Sequence, residues 1–226
     1  LAVLALLSLA VLAGIVFYLF KEGLPIFKFL TPLNFIFGTD WYPVGDQPDF
    51  EIGSLIAGSL AVTALSSLIA VPLGLMTAAY LSEVASNTTR RIVKPFIELL
   101  AALPSVVIGF IGMVLIAPWL QNSLGIATGL NLFNAALMLA FMAVPTICSI
   151  SEDALHAVPR ALKDASLALG ATPWETLKNV TFPYALSGVG TAVMLGMSRA
   201  LGETMVVLMV AGGAAILPPA GFLPLR

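Results

Sequence analysis

The sequence predicts an all-α fold, a polytopic transmembrane helical bundle, on three observations. Hydrophobic residues make up 59% of its 226 positions and charged residues only 10%, where a soluble domain carries about 25% charged residues. Mean hydropathy is +1.03, so there is too little polar side chain to face water all round. The apolar residues also collect in runs of about 20, the length a helix needs to cross the hydrocarbon core.

Five runs qualify as spans: 1–20, 53–82, 97–120, 133–151 and 186–213. The first is too long for the apolar part of a signal peptide, no Ala-x-Ala site follows it, and more spans come after. The chain starts without Met inside this run and stops soon after Pro218-Pro219, so both ends read as cut. Residues 21–52 form an outer loop rich in Pro, Gly, aromatics and acids (Glu22, Asp40, Asp46, Asp49, Glu51). The organisation expected is one membrane domain over 1–226 with its core at 53–213.

Charge orients the bundle, because short cytoplasmic loops concentrate Lys and Arg. The second connection holds Arg90, Arg91 and Lys94, the fourth holds Arg160, Lys163 and Lys178, and the third, 121–131, holds no charge. The best fit places the second and fourth connections and the N-terminus in the cytoplasm. Five spans then leave the C-terminus outside, which implies a sixth span beyond Arg226.

Glycines recur in the spans (Gly58, Gly74, Gly109, Gly112, Gly188, Gly190, Gly196, Gly202) and allow helices to approach closely in lipid. Pro72, Pro104, Pro118 and Pro145 lie in or at the ends of spans. Such breaks persist where protein or a watery path satisfies the freed carbonyls; at Pro104 a functional bend and a structural one are both open. Cys148 is the one cysteine and His156 the one histidine, so no metal site is expected, and His156 reads as a surface residue.

The longest polar segment, 152–185, reads as an elbow. Pro159 suits the start of a helix that runs to Gly170, a residue suited to the C′ position. Leu162, Ala165 and Leu169 share one face of it. Thr172-Pro173-Trp174-Glu175 then spells a capping box, opening a second short helix that ends before Pro183. Such an elbow could simply cover the bundle, or it could dock a partner.

The run Asp164-Ala165-Ser166, three residues, Gly170, nine residues, Val180-Thr181-Phe182-Pro183 resembles the EAA motif of ABC-importer permeases, with Asp for Glu and Ser for the second Ala. The resemblance implies the type I importer fold. It makes Asp164, Ala165, Ser166, Gly170 and Pro183 part of a coupling helix that docks an ATPase dimer. ATP and Mg would then be bound by that partner. The chain itself has no Gly-Lys dipeptide, hence no phosphate-cradling loop, and no catalytic constellation, so it reads as a transport subunit and not an enzyme.

Trp41-Tyr42-Pro43, Gly53-Ser54-Leu55-Ile56, Val71-Pro72-Leu73-Gly74, Tyr80-Leu81-Ser82-Glu83 and Leu103-Pro104-Ser105-Val106-Val107-Ile108-Gly109 resemble the PstC-type permease of phosphate-specific importers. Ser198-Arg199-Ala200-Leu201-Gly202-Glu203-Thr204-Met205 adds to this; its Arg-Ala-Leu-Gly-Glu core is shared with sulfate and molybdate permeases. The implied partners are a second permease subunit in a heterodimer, the ATPase dimer and a periplasmic or lipid-anchored phosphate-binding protein, in a bacterial or archaeal cell membrane. No nucleic acid is expected. A secondary transporter would show related halves, and no convincing repeat is present.

Arg199 and Glu203 are the only charges deep in a span, four residues apart and so expected on one helix face. An ionisable residue at mid-membrane costs at least ~2.5 kcal/mol, so such residues usually face the interior and act there. Either the two neutralise each other, or Arg199 attracts an anion along the substrate pathway while Glu203 orients it or gates. A planar guanidinium donates two parallel hydrogen bonds to an oxyanion.

Overall fold

The computed structural model describes residues 2–44 and 48–212. Asp46 of the first connection, and everything after Gly212, lie outside the described residues. Among the described residues five helices are long and apolar enough to cross a membrane: Ala2–Lys28, Gly53–Val84, Ser105–Leu124, Leu132–His156 and Pro173–Leu201. The chain divides into two compact units, Leu1–Ile56 and Ala57–Arg226.

In the first unit α1 (Ala2–Gly23) buries none of its residues, and a short 3-10 turn, Leu24–Lys28, comes next. The connection between the first two spans is more ordered than a Pro- and Gly-rich stretch suggests. Thr31 caps α2 (Pro32–Phe37) by accepting from the Asn34 amide. Two short antiparallel strands, β1 (Trp41–Tyr42) and β2 (Asp49–Phe50), then pair with Trp41 opposite Phe50. The two rings meet edge to face at 6.3 Å, and Glu51 Oε2 accepts from the Asp40 amide at 3.0 Å.

The second unit is built around one helix. After α3 (Gly53–Ala79) and a π-helical turn at Tyr80–Val84 come α4 (Asn87–Ala101) and α5 (Ser105–Ile111). A second π turn, Gly112–Ile116, leads into α6 (Ala117–Leu124). Next is α7 (Leu132–His156), which carries buried side chains along nearly its whole length. Ile147 on α7 is the pivot of the packing. A Cβ added at Gly74 of α3 would sit 2.8 Å from Ile147, and one at Gly196 would sit 2.4 Å from it. Absent side chains at both positions let three helices close on a single isoleucine. Asn134, fully buried, donates to the carbonyls of Gly112 at 3.1 Å and Gly129 at 3.0 Å. It thereby ties α7 to the π turn, whose Gly112 carbonyl also accepts from the Ala117 amide, and to the loop at Gly129.

Three sequence expectations are corrected. The third span does not begin near 97: residues 87–101 form a separate amphipathic helix, which includes the basic stretch read as loop, and the span starts at Ser105. Pro104 is the reason, because it is held extended at φ −60°, ψ 133° and stops the helix there. Second, the helix after Gly170 does not end before Pro183. It runs from Pro173 through a π turn, Leu177–Thr181, into α10 (Phe182–Leu201). The wider turn just ahead of Pro183 makes room for its ring, so the proline is absorbed without a stop. Third, the fifth span ends at Leu201, and α11 (Met205–Val210) is a distinct helix packed on α5.

Ionic contacts fix α4 to α7. Glu152, 1% exposed, receives Arg90 on one oxygen and Lys94 on the other, the latter at 2.6 Å. Lys94 also pairs with Asp153, and Arg90 Nη1 lies 2.8 Å from the ring of His156, which is exposed as expected. Partial burial pulls the Lys94 ammonium pKa down, but its bonds to Asp153 and Glu152 outweigh that and hold it above 10.5. The stabilisation is therefore complete at neutral pH and is lost only as pH climbs through that raised value.

Candidate functional site

The elbow forms as its residues direct. Helix α8 (Arg160–Ala168) starts after Pro159. Its end is turned back by Gly170 at φ +90°, with the Ala171 amide donating to the Ser166 carbonyl. That left-handed conformation costs glycine little and other residues more. The capping box is complete in α9 (Pro173–Thr176): Thr172 Oγ1 accepts from the Glu175 amide at 3.3 Å, and Glu175 Oε2 accepts from the Thr172 amide at 2.8 Å.

The motif residues divide by place. Asp164 and Ala165 face outward, and among the described residues Asp164 has no ion-pair partner. Ser166 faces inward, its hydroxyl 2.9 Å from that of Thr176, and ties α8 to α9. Pro183 lies in the first turn of α10. A segment that merely covered the bundle would bury its leucines. Here α8 buries no residue, Leu169 is 91% exposed and Trp174 70%, which leaves an apolar surface offered to something else.

The second candidate region is where two helices break. The α4–α5 break leaves the Ala101 carbonyl without a helical partner, and Arg199 Nη2 donates to it at 2.9 Å. The α10–α11 break comes two residues after Arg199. Glu203 lies in that break, not on the helix face with Arg199 as its spacing suggested, because α10 ends at Leu201. Glu203 Oε1 accepts from the Met205 amide at 3.1 Å and the Val206 amide at 3.4 Å, so it serves the open first turn of α11. The two charges do not form an ion pair. Arg199 is exposed and spends one of its five donors on Ala101.

This assignment of Glu203 gives a first expected outcome. Glu203→Leu removes the acceptor and costs about 1 kcal/mol, as losing a cap does. The midpoint of thermal unfolding in detergent then falls by about 2–4 °C. Glu203→Gln keeps a carbonyl oxygen and is expected to melt with the unsubstituted chain; equal losses in both would show that the charge, not the acceptor, matters.

The family described as "Binding-protein-dependent transport system inner membrane component" matches residues 70–223, which take in both the elbow and the two breaks. The chain belongs to this family. The permease is 40% identical over 220 residues to the "Probable ABC transporter permease protein YqgH" of Bacillus subtilis, covering 96% of this chain and 71% of that one. It is 34% identical to the "Phosphate transport system permease protein PstC" of Mesorhizobium japonicum over 97% of this chain and 72% of the other. A solved bacterial ABC transporter involved in the import of the acidic polysaccharide alginate shares the fold, with a TM-score of 0.55 at 16% identity over 91% of this chain and 80% of that one. The fold is thus that of the type I ABC importer permeases, and the permease is a membrane-embedded transport subunit rather than an enzyme.

Sequence reasoning named Arg90 and Lys94 only as orienting charges and Glu83 only within a motif, and missed their pairing with Glu152 and Lys163. The pattern of α4 was readable, since Ser86 caps it and Arg90 and Lys94 stand four apart. Their partners lie 58 or more residues away, where no local spacing points.

Proposed function

We propose that the permease forms part of the translocation path of an ATP-driven phosphate importer, and that Arg199 receives the anion. The observation that carries this reading is that Arg199 is exposed at two meeting helix breaks and is not neutralised by Glu203. Its unused donors form a planar fork suited to an oxyanion, and freed backbone at mid-membrane belongs beside protein or water, not lipid. Glu203 supports the site by holding α11 in register. The PstC name of the Mesorhizobium relative favours phosphate over sulfate or molybdate.

On the same reading the elbow 152–185 is the docking element for an ATPase dimer, which binds ATP and Mg, and the exposed Leu169 and Trp174 supply its apolar contact. A second permease subunit completes the path as a heterodimer, and a phosphate-binding protein delivers the anion from outside. The basic residues of the second and fourth connections put the elbow and the N-terminus in the cytoplasm. The deciding experiment reconstitutes the complex and measures its ATPase activity with the binding protein loaded with phosphate or with sulfate. Stimulation by the phosphate-loaded protein is expected; stimulation only by the sulfate-loaded one overturns the substrate.

A further inference from the structure

Helix α8 is nearly detached from the rest of the bundle. It buries no residue, the Ser166 hydroxyl meets Thr176 within the elbow, and the amides of Leu169, Gly170 and Ala171 return to α8 itself. Among the described residues one hydrogen bond leaves α8 for a helix outside the elbow: Lys163 Nζ to Glu83 Oε1, 2.6 Å.

Glu83 stands at a mechanical junction. It lies in the π turn Tyr80–Val84 that ends α3. The turn is closed by the Ala85 amide donating to the Tyr80 carbonyl, one residue wider than an α turn, and Glu83 lies inside it. Leu81 of the same turn is buried with Leu155, Val158 and Phe182, and Ser82 Oγ also donates to Glu83 Oε1 at 3.0 Å. Three residues after Glu83, Ser86 caps α4, the helix clamped to α7 by Glu152 and ending at the carbonyl that holds Arg199.

Resting on the elbow as the ATPase docking element, we propose that Lys163 and Glu83 are positioning residues forming the strut that carries elbow movement into the α3–α4 junction, and so to the helix break beneath Arg199. The side chains are 17% and 21% exposed, and at such partial burial the cost of desolvating the charges offsets much of the pair's attraction. Its importance is its place as the one polar tie, among the described residues, between α8 and the core helices.

The test uses the full complex in vesicles, with radiolabelled inorganic phosphate and ATP. Glu83→Lys and Lys163→Glu, each alone, are expected to leave ATPase co-purification unchanged and to lower phosphate taken up per ATP hydrolysed at least about fivefold, the lower end of a site–site coupling. The double reversal restores the ratio. Unchanged ratios in the single variants, or a double variant as impaired as they are, overturn the strut. A second readout needs no transported ion: spin labels on cysteines introduced at Thr88 and Ala161, with native Cys148 buried, keep one separation with and without trapped nucleotide, and Lys163→Glu makes that separation change. A separation that already changes in the unsubstituted complex overturns the strut too. An unsubstituted chain that fails to co-purify with the ATPase instead overturns the elbow reading on which the strut rests.

Discussion

Arg199→Gln is expected to cut phosphate uptake by about 10–100-fold, the effect of losing a charge-assisted hydrogen bond worth about 1.5–3 kcal/mol. Expression and co-purification with the ATPase are expected to stay intact, because the elbow does not include Arg199. Arg199→Lys recovers only part of the uptake, since an ammonium keeps the charge and loses the planar fork. The geometry sharpens the third arm. Had the two charges paired, exchanging them would preserve the pair, and buried pairs can often be replaced without loss. Here Arg199 serves a carbonyl on α4 and Glu203 serves amides on α11, so Arg199→Glu combined with Glu203→Arg removes both contacts and leaves a carboxylate facing the anion. The exchanged protein is expected to transport no better than Arg199→Gln. Uptake at the unsubstituted level in the exchanged protein would sink the pathway role and leave both residues structural.

That arm depends on a feature the sequence could not disclose. Arg199 and Glu203 sit inside an unbroken apolar run, 186–213, and four-residue spacing inside such a run reads as one helix face. What ends α10 is Gly202 and then a fold-back of α11 onto α5, where Val206 and Val210 join Ile108 in the core. That packing is a tertiary choice, and glycine inside a membrane helix is too common to announce it. Pro104 was legible only as a bend inside a span drawn from 97; that it separates two helices follows from a proline lacking its amide and restricting the residue before it.

The elbow was legible for the opposite reason: its determinants are local. Gly170, the Thr172–Glu175 box and Pro173 each act within four residues, and each is found in place. Pro183 misled because the sequence offers no sign of the π turn that accommodates it. The ties that position the elbow and α4, Lys163 to Glu83 and Arg90 and Lys94 to Glu152, cross the chain at long range and become visible only once α4 lies along α7.

Gly170→Val is expected to abolish ATPase association while the permease still inserts. Gly170 stands at φ +90°, and an added Cβ would meet nothing within 4 Å. The penalty is therefore one of backbone conformation and not of crowding. For an ordinary residue a sparsely populated backbone region costs about 1–3 kcal/mol, and a branched Cβ pushes toward the upper end. The turn can shed that strain only by letting residue 170 return to negative φ, which breaks the Ala171-to-Ser166 bond and swings α9 away from α8. Leu169 and Trp174, the exposed apolar side chains on either side of the turn, then no longer present one surface. Because crowding is absent, a graded series isolates the backbone effect: Gly170→Asn, whose side chain tolerates the left-handed region, keeps more association than Gly170→Ala, and Gly170→Val keeps least. Co-purification with the ATPase, quantified against membrane-inserted permease, reads the series directly. Full association in Gly170→Val would show that the elbow docks without its glycine turn, and an order that tracks side-chain volume instead of tolerance for positive φ would show that space, not conformation, governs this position.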